Sequence, residues 1–148
     1  MRAIHRAKYG EHPRVARALG SLFAHAAGAH VALPDLLVPV PLHTRRLASR
    51  GFNQAHELAR AFATAPATNI VTRVRHTPSQ VGLGRTERLE NVRDAFAVPR
   101  PERVRGRGIV VVDDVVTTGA TLAEVARVLH AAGAREVRAV ALASAPIE

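Results

Sequence analysis

Apolar residues gather in short continuous runs at five places along the chain, and each run predicts a β-strand. The strongest lies at residues 108–113, where an isoleucine and three valines precede an aspartate. Residues 36–40 and 137–143 predict further strands, and residues 70–74 and 94–98 predict weaker ones. Continuous β-branched runs of this length are typical of a sheet covered on both faces.

Between these runs, apolar residues spaced three and four apart predict three helices. The first opens at Pro13, the second is capped by Asn53, and the third follows the strand at 108–113 and ends at Gly133. Strand, helix and strand in close succession imply a right-handed crossover between parallel strands. We therefore predict an α/β fold with a mostly parallel sheet flanked by helices, in one domain spanning residues 1–148.

Two polar stretches separate these predicted elements. Residues 41–51 are polar and rich in arginine, which predicts a loop. Residues 75–91 contain proline, glycines and charges without sustained apolar periodicity. Because a stretch of that length without its own structure is usually disordered or a functional lid, we predict a flexible lid there.

Composition narrows the class of protein. Hydrophobic residues make up 47% of the chain and aromatic residues only 3%, so the core is expected to consist of Ala, Val, Leu and Ile. No apolar run approaches the roughly 20 residues of a membrane span, and no secretory signal is evident, so we expect a cytoplasmic location and no membrane partner. The absence of cysteine excludes disulfides, thiol nucleophiles and cysteine-based zinc sites.

The formal net charge of +9 points to an anion. Lys8 is the single lysine among 21 basic residues, and the others are all arginine, whose planar fork suits phosphate. An arginine excess is equally expected from coding bias and a solvated surface. Charge alone therefore leaves the ligand undefined.

The residues most informative about chemistry follow the strongest strand. Asp113 and Asp114 end the apolar run, and Thr117, Thr118, Gly119, Ala120 and Thr121 lead into the third helix. Ligands of parallel α/β sheets bind where strands end, and the exposed N–H groups of a helix N-terminus favour phosphate. The glycine allows close backbone approach and the hydroxyls can donate to phosphate oxygens, so we predict a phosphate-binding loop.

The two acids suit another part of the same ligand. Carboxylates accept hydrogen bonds, so Asp113 and Asp114 match ribose hydroxyls, and they can hold the water shell of a Mg²⁺ that arrives with a pyrophosphate rather than a directly bound metal. The alternative is that one of these residues merely caps the helix, which is worth about 1 kcal/mol. Capping accounts for one residue and leaves the second acid unexplained.

The motif resembles the signature of type I phosphoribosyltransferases. Further stretches resemble the ComF family, named for a competence protein: residues 38–43 (VPVPLH), 45–46 (RR) and 50–55 (RGFNQA), the residues Gln80, Leu83, Arg88, Asn91 and Phe96, and the pair Lys8-Tyr9. The resemblance spans nearly the whole chain. Many members of that family carry an N-terminal cysteine-rich zinc ribbon, which this cysteine-free chain lacks.

The resemblance implies roles for named residues. Residues 113–121 would hold the ribose and 5-phosphate of 5-phosphoribosyl 1-pyrophosphate (PRPP). Other positions would bind the pyrophosphate or lie in the lid, namely His43, Arg45 and Arg46 after the first strand, and Arg85 and Arg88 within residues 75–91. Asp113, Asp114 and Arg88 would be catalytic, and residues 1–35 would form a hood over the acceptor site. For each histidine and arginine, a solvated surface position remains the alternative.

Three functions stay open on this sequence. The first is transfer of the phosphoribosyl group to a nucleobase-like acceptor. The second is a protein that keeps the fold and senses the ligand without turnover. The third is a DNA-uptake protein that binds nucleic acid, which the scarcity of aromatic stacking residues disfavours. A homodimer is compatible with all three.

Overall fold

The computed structural model describes residues 34–61, 68–77 and 84–144. Its centre is a three-stranded parallel sheet of β1 (Leu36–Pro39), β4 (Gly108–Val116) and β5 (Glu136–Ser144), in the order β1-β4-β5. Residues 1–33 lie outside the described part. They include the predicted helix that opens at Pro13 and all but the last two residues of the predicted hood at 1–35.

Strand β4 forms the middle of this sheet. Its partners run parallel on either side, with Val111 opposite Val38 of β1 and opposite Ala139 of β5. The four residues Ile109, Val110, Val111 and Val112 are fully buried. The β-branched run therefore forms the central strand, as the sequence predicts.

Helices cover both faces of the sheet. On one face, α2 (Gln54–Ala61) places Leu58 and Ala59 against Val110 and Val112. On the other, α4 (Ala120–Ala131) packs Val125 and Leu129 into a cluster with Ile109 and Val111. The predicted α/β architecture with a mostly parallel sheet is confirmed.

A small antiparallel pair flanks the sheet. Strands β2 (Thr72–Arg73) and β3 (Phe96–Ala97) pair with Arg73 opposite Phe96. Phe96 belongs to the same buried cluster as α4, so the pair is attached to the helical layer on that face. A short 3₁₀ helix, Pro101–Arg103, then leads towards β4.

The prediction of a loop over residues 41–51 is wrong. Residues Thr44–Arg50 form helix α1, which buries none of its residues and exposes Leu47. His43 caps its N-terminus, and Gly51 ends it in the left-handed conformation with its N–H donated to the Leu47 carbonyl. Capping rather than an apolar stripe defines this helix, so hydrophobic periodicity could not detect it.

The lid segment also contains regular structure. Residues Arg85–Val92 form helix α3, which packs against α4 and begins with the Glu87 carboxylate accepting the Gly84 N–H at 2.7 Å. Val92 is buried in the core. Residues 78–83 lie outside the described part, and the flexible lid predicted over residues 75–91 stays a prediction.

Within the described residues, no helix combines the length and apolarity that a membrane crossing needs.

Candidate functional site

A depression open to solvent lies where β4 ends and α4 begins. About 260 Å³ of space, part of it open solvent, lies among its lining residues. Its lining comprises Asp113, Val115, Val116, Thr117, Thr118, Gly119, Ala120, Thr121 and Leu122. The structure thus brings together all the residues predicted for the phosphate loop, and it adds Val115, Val116 and Leu122, which sequence reasoning left out.

The turn at Gly119 shapes the floor of this depression. Gly119 has φ 78° and ψ 0°, in the left-handed region that glycine adopts without strain. A Cβ at this position would meet no other heavy atom within 4 Å, so the backbone borders open space. The Thr118 hydroxyl accepts the Ala120 N–H at 3.3 Å. This hydroxyl stabilises the start of α4, as in the capping interpretation.

The two acids occupy different positions. Each places its Oδ1 within hydrogen-bond distance of the following backbone N–H: Asp113 accepts from Asp114 at 2.8 Å, and Asp114 accepts from Val115 at 2.8 Å. Asp113 lines the depression, whereas Asp114 does not. Side chains alternate between the faces of a strand, which accounts for the difference.

His43 stands at the turn between β1 and α1. Its Nδ1 accepts the Arg45 N–H at 3.3 Å, and its ring meets that of His76 edge-on, with centroids 4.9 Å apart. Burial lowers the pKa of His43, and the charges of His76, Arg73, Arg45 and Arg46 lower it further. The neutral ring with an unprotonated Nδ1 is therefore the form that this site stabilises.

The predicted Arg45 and Arg46 lie in a cluster of positive charge. Both interact electrostatically with His43, and Arg46 also interacts with Arg73 on β2. Arg73 in turn interacts with Asp113. Sequence reasoning did not single out Arg73, although a charged residue between the apolar Val71 and Val74 was a detectable signal.

The two lid arginines are placed differently from Arg45 and Arg46. Arg88 lies on α3 and is only 8% exposed. Arg85 is the first residue of the same helix, and its side chain is outside the described part of the structure. Arg88 is not among the described residues that line the depression, and the predicted roles of both arginines in catalysis and binding stay predictions.

The RGFNQA stretch has a structural role. The Asn53 side chain donates to the Val40 carbonyl at 3.0 Å and accepts the Ala55 N–H at 3.0 Å. It therefore joins the end of β1 to the beginning of α2. Gly51 supplies the left-handed turn just before it. These residues hold the β1–α1 turn, which carries His43, in a defined place.

Comparison with known families now identifies the fold. The model of the phosphoribosyl transferase domain family matches residues 8–148. The chain belongs to this family. The Asp-Asp and Thr-Thr-Gly-Ala-Thr residues indicated a resemblance to type I phosphoribosyltransferases, and this match confirms it.

The names of curated relatives refer to competence or to DNA utilization. Competence protein F of Haemophilus influenzae is 40% identical over 119 residues, covering 76% of this chain and 52% of that protein. The DNA utilization protein YhgH of Escherichia coli strain K12 is 40% identical over 144 residues, covering 91% and 63%. The predicted similarity to the ComF family is confirmed. The chain spans between about half and two thirds of the length of these relatives.

Solved structures share the fold at low sequence identity. The allosteric regulatory enzyme of purine biosynthesis superposes with a TM-score of 0.57 at 22% identity, covering 86% of this chain and 26% of that one. The purine phosphoribosyltransferase from Pyrococcus horikoshii gives 0.50 at 20% identity, covering 86% and 70%. Both similarities concern the arrangement of strands and helices.

Proposed function

We propose that this phosphoribosyltransferase domain binds PRPP together with Mg²⁺ and transfers the phosphoribosyl group to a nucleobase-like acceptor. The observation that carries the proposal is the depression at the end of β4, lined by Asp113 and the loop 117–121, with positive side chains beside it. The ribose 5-phosphate end of PRPP requires hydrogen-bond acceptors for its hydroxyls and a loop that binds phosphate. The pyrophosphate end requires positively charged side chains.

The loop suits the 5-phosphate. Gly119 borders open space, and Thr117, Thr118 and Thr121 line the depression at the N-terminus of α4. Peptide dipoles of a helix concentrate partial positive charge at that end, which favours a phosphate by about 0.3–1 kcal/mol at exposed sites. Threonine hydroxyls supply further donors.

Asp113 suits the ribose. Its carboxylate lines the same depression next to the loop and offers only acceptors, which match sugar hydroxyls. The same negative charge would stabilise positive charge that develops on the ribose ring as the leaving group departs. Asp114, on the opposite face of the strand end, is expected to contribute less to direct contact.

The residues present also fit a metal ion that arrives with the ligand. In the described part of the chain, no three His, Cys, Asp or Glu side chains lie close enough together to bind a metal ion by themselves. Asp113 nevertheless lines the depression, and one carboxylate together with the phosphates of the ligand would be enough to hold a hydrated Mg²⁺. The ion would offset the charge of the pyrophosphate.

In the proposed reaction the bond between the ribose anomeric carbon and the pyrophosphate oxygen breaks. Pyrophosphate leaves with the bonding electrons, an acceptor nitrogen bonds to the same carbon, and the acceptor loses its proton to solvent. Negative charge grows on the departing oxygens, so fixed arginines beside the site stabilise the transition state. Arg45 and Arg46 belong to that cluster.

Calorimetric titration with PRPP and Mg²⁺ tests the binding step. We expect Asp113→Asn to weaken binding about 10- to 100-fold, since hydrogen bonds to a charged group contribute about 1.5–3 kcal/mol. Asp114→Asn, which removes an acid that does not line the depression, is expected to have a smaller effect. The exposed Glu102→Gln, distant on the 3₁₀ helix, serves as the control for lost charge.

Failure of the wild-type protein to bind PRPP would refute the proposal, as would equal affinity of wild type and Asp113→Asn. Release of pyrophosphate across a panel of nucleobases then distinguishes transfer from ligand sensing. Binding without release for any acceptor would favour the non-catalytic alternative.

DNA binding is the second candidate. It is favoured by the names of the relatives, Competence protein F and DNA utilization protein, and by the cluster of arginines beside the depression. Such a surface attracts any polyanion through charge alone.

A further inference from the structure

Exposed arginines gather at the end of the sheet opposite the depression. They come from two neighbouring stretches of chain, namely the connection that contains the 3₁₀ helix before β4 and the turn between α4 and β5. All of them are exposed to solvent. We call this set the distal arginine surface, and it consists of Arg100, Arg103, Arg105, Arg107 and Arg135.

The length of β4 separates this surface from the depression. Arg107 and Arg135 immediately precede β4 and β5, whereas the depression lies where β4 ends. A strand rises about 3.3 Å per residue, so the nine residues of β4 span roughly 26 Å. A sugar phosphate bound in the depression therefore cannot reach the distal arginine surface.

Backbone contacts hold the two stretches together. The Gly106 N–H donates to the Gly133 carbonyl at 2.8 Å, and the Arg135 N–H donates to the Arg107 carbonyl at 2.9 Å. A Cβ on Gly133, whose φ is 92°, would lie 3.4 Å from the Cγ of Arg105, so the stem of this arginine packs closely against the glycine. The backbone that carries the arginines is therefore fixed before a partner binds, which lowers the entropy cost of binding.

The positive charge of the distal arginine surface is only partly neutralised. Arg135 pairs with Asp35 at 3.3 Å, and Arg107 also interacts electrostatically with Asp35. Apart from Arg135, no arginine of this surface belongs to an ion pair in the described part of the chain. Within residues 100–107, Glu102 is the only acid. Such a concentration of positive charge attracts anionic groups.

The residues around these arginines suit carboxylates better than the phosphates of a nucleic acid. Residues 99–108 and 131–136 contain no aromatic side chain on which a base could stack. Glu102 and Asp35 interrupt the positive charge that a continuous phosphate backbone would follow. Residues 132–134 are alanine, glycine and alanine, so a peptide backbone can approach closely. The arginine fork binds a carboxylate with two hydrogen bonds, and arginine is enriched in protein interfaces.

We propose that the distal arginine surface binds an acidic segment of a partner protein through arginine–carboxylate pairs. Aspartate or glutamate side chains of that segment bind Arg103, Arg105 and Arg107, while Glu102 repels a misplaced acid and so helps to set the register. The partner and a ligand in the depression can bind at the same time, because the two sites lie at opposite ends of β4. The inference does not depend on the proposed function.

Fluorescence anisotropy of a labelled hexaglutamate peptide at low salt tests the inference. We expect the double variant Arg103→Gln/Arg107→Gln to weaken peptide binding about three- to tenfold, since two exposed ion pairs are lost. The matched double variant Arg60→Gln/Arg93→Gln removes the same charge from exposed positions on α2 and just after α3, and it should change the affinity by less than about twofold. Pyrophosphate with Mg²⁺ should leave the peptide bound to the wild-type protein.

Four results would overturn the inference. The first is that the wild-type protein does not bind the peptide at low salt. The second is an equal loss of affinity in the two double variants, because net charge alone would then explain binding. The third is displacement of the peptide by pyrophosphate, which would place the peptide beside the depression. The fourth is that Arg103→Gln/Arg107→Gln weakens binding of a labelled oligothymidylate more than that of the peptide, which would assign the surface to nucleic acid.

Thermal melting checks that the variants are folded. If Arg103→Gln/Arg107→Gln does not fold, the single variant Arg103→Glu decides, since it reverses one exposed charge on the 3₁₀ helix. A loss of peptide affinity in Arg103→Glu supports the inference, and wild-type affinity in that variant counts against it.

Discussion

At the scale of single residues, His43 caps a helix and also lies among positive charges, and protonation of its ring disfavours both arrangements. Its Nδ1 accepts the Arg45 N–H at the start of α1, which requires that nitrogen to be unprotonated. The surrounding groups are also positive: Arg45 and Arg46 on its own helix, and Arg73 and His76 from the β2 side. Burial and these charges together lower the pKa of His43 in the folded protein.

We expect this histidine to make the folded state less stable in mild acid. With the folded pKa below the ordinary value of about 6.5, the unfolded chain binds the proton more readily. The contribution of His43 is therefore complete above that value and is lost as pH falls below it towards the folded pKa. Denaturant unfolding at steps from pH 8 to pH 5 measures the slope.

His43→Asn provides the comparison, since asparagine also caps helices and does not titrate. The variant should show a flatter dependence of the free energy of unfolding on pH over that interval. Identical slopes for the two proteins would show that the proton is taken up elsewhere.

At the scale of secondary-structure elements, α1 and α3 reveal the limit of pattern reading. The strands β1 and β4 and the helices α2 and α4 bury apolar residues, and β5 partly buries Val137, Val140 and Leu142, so the apolar patterns of these elements are visible in the sequence. Helix α1 buries nothing and is defined by its caps at His43 and Gly51. Helix α3 buries Val92 and Arg88 but exposes Leu89, so its buried side is not marked by an apolar stripe in the sequence.

A charged connection attaches the end of α3 to α4. After α3, Asp94 adopts a positive φ of 53°, and its N–H donates to the Glu124 carboxylate at 2.9 Å. Glu124 is only 9% exposed and also pairs with Arg127. The hydrogen bond from Arg127 lowers the pKa of Glu124, an effect that burial opposes and that the Asp94 N–H and the charges of Arg127 and Arg93 reinforce.

Glu124→Ala is expected to destabilise the protein by about 1–3 kcal/mol, because the Asp94 N–H loses its acceptor in a partly buried position. Glu124→Gln keeps one acceptor and should cost less, while the exposed Glu102→Ala should have little effect. Because the pKa of Glu124 is lowered, its contribution is present at neutral pH and is lost as pH falls through the folded value. Equal midpoints for Glu124→Ala and Glu102→Ala in urea would contradict this role.

At the scale of the whole molecule, the net charge of +9 acts on any polyanion. Arginines gather beside the depression, so a nucleic acid and a sugar pyrophosphate would compete for the same surface. Only 3% of the residues are aromatic, which leaves few platforms for base stacking. Contact with DNA through charge alone should therefore depend strongly on salt.

We expect binding to single-stranded DNA to weaken roughly 20-fold between 50 and 200 mM salt if about three phosphates are contacted. Pyrophosphate with Mg²⁺ should displace the DNA at low salt, since both use the same arginines. Fluorescence anisotropy of a labelled oligonucleotide measures both effects. An affinity that persists at 200 mM salt and resists pyrophosphate would favour a dedicated nucleic-acid site and the competence-related alternative.

The sequence by itself determined the local chemistry of this protein. The run from Ile109 to Val112 is buried because its side chains are apolar and β-branched. The turn after Asp113 is suited to binding phosphate or to capping α4 because it contains a glycine and threonine hydroxyls. Such features depend on neighbours along the chain, so the α/β class, the central strand and the loop 117–121 could be predicted.

Only the tertiary structure decided which distant residues share the site. Arg73 on β2, His43 after β1 and Asp113 at the end of β4 are far apart in sequence, and they come within electrostatic range because the sheet and the β2–β3 pair place them there. The same folding leaves the Nε of Arg73 buried without an acceptor and turns Asp114 away from the depression. Contacts between residues that are distant in sequence are set by packing, and the pattern of residues along the chain does not specify them.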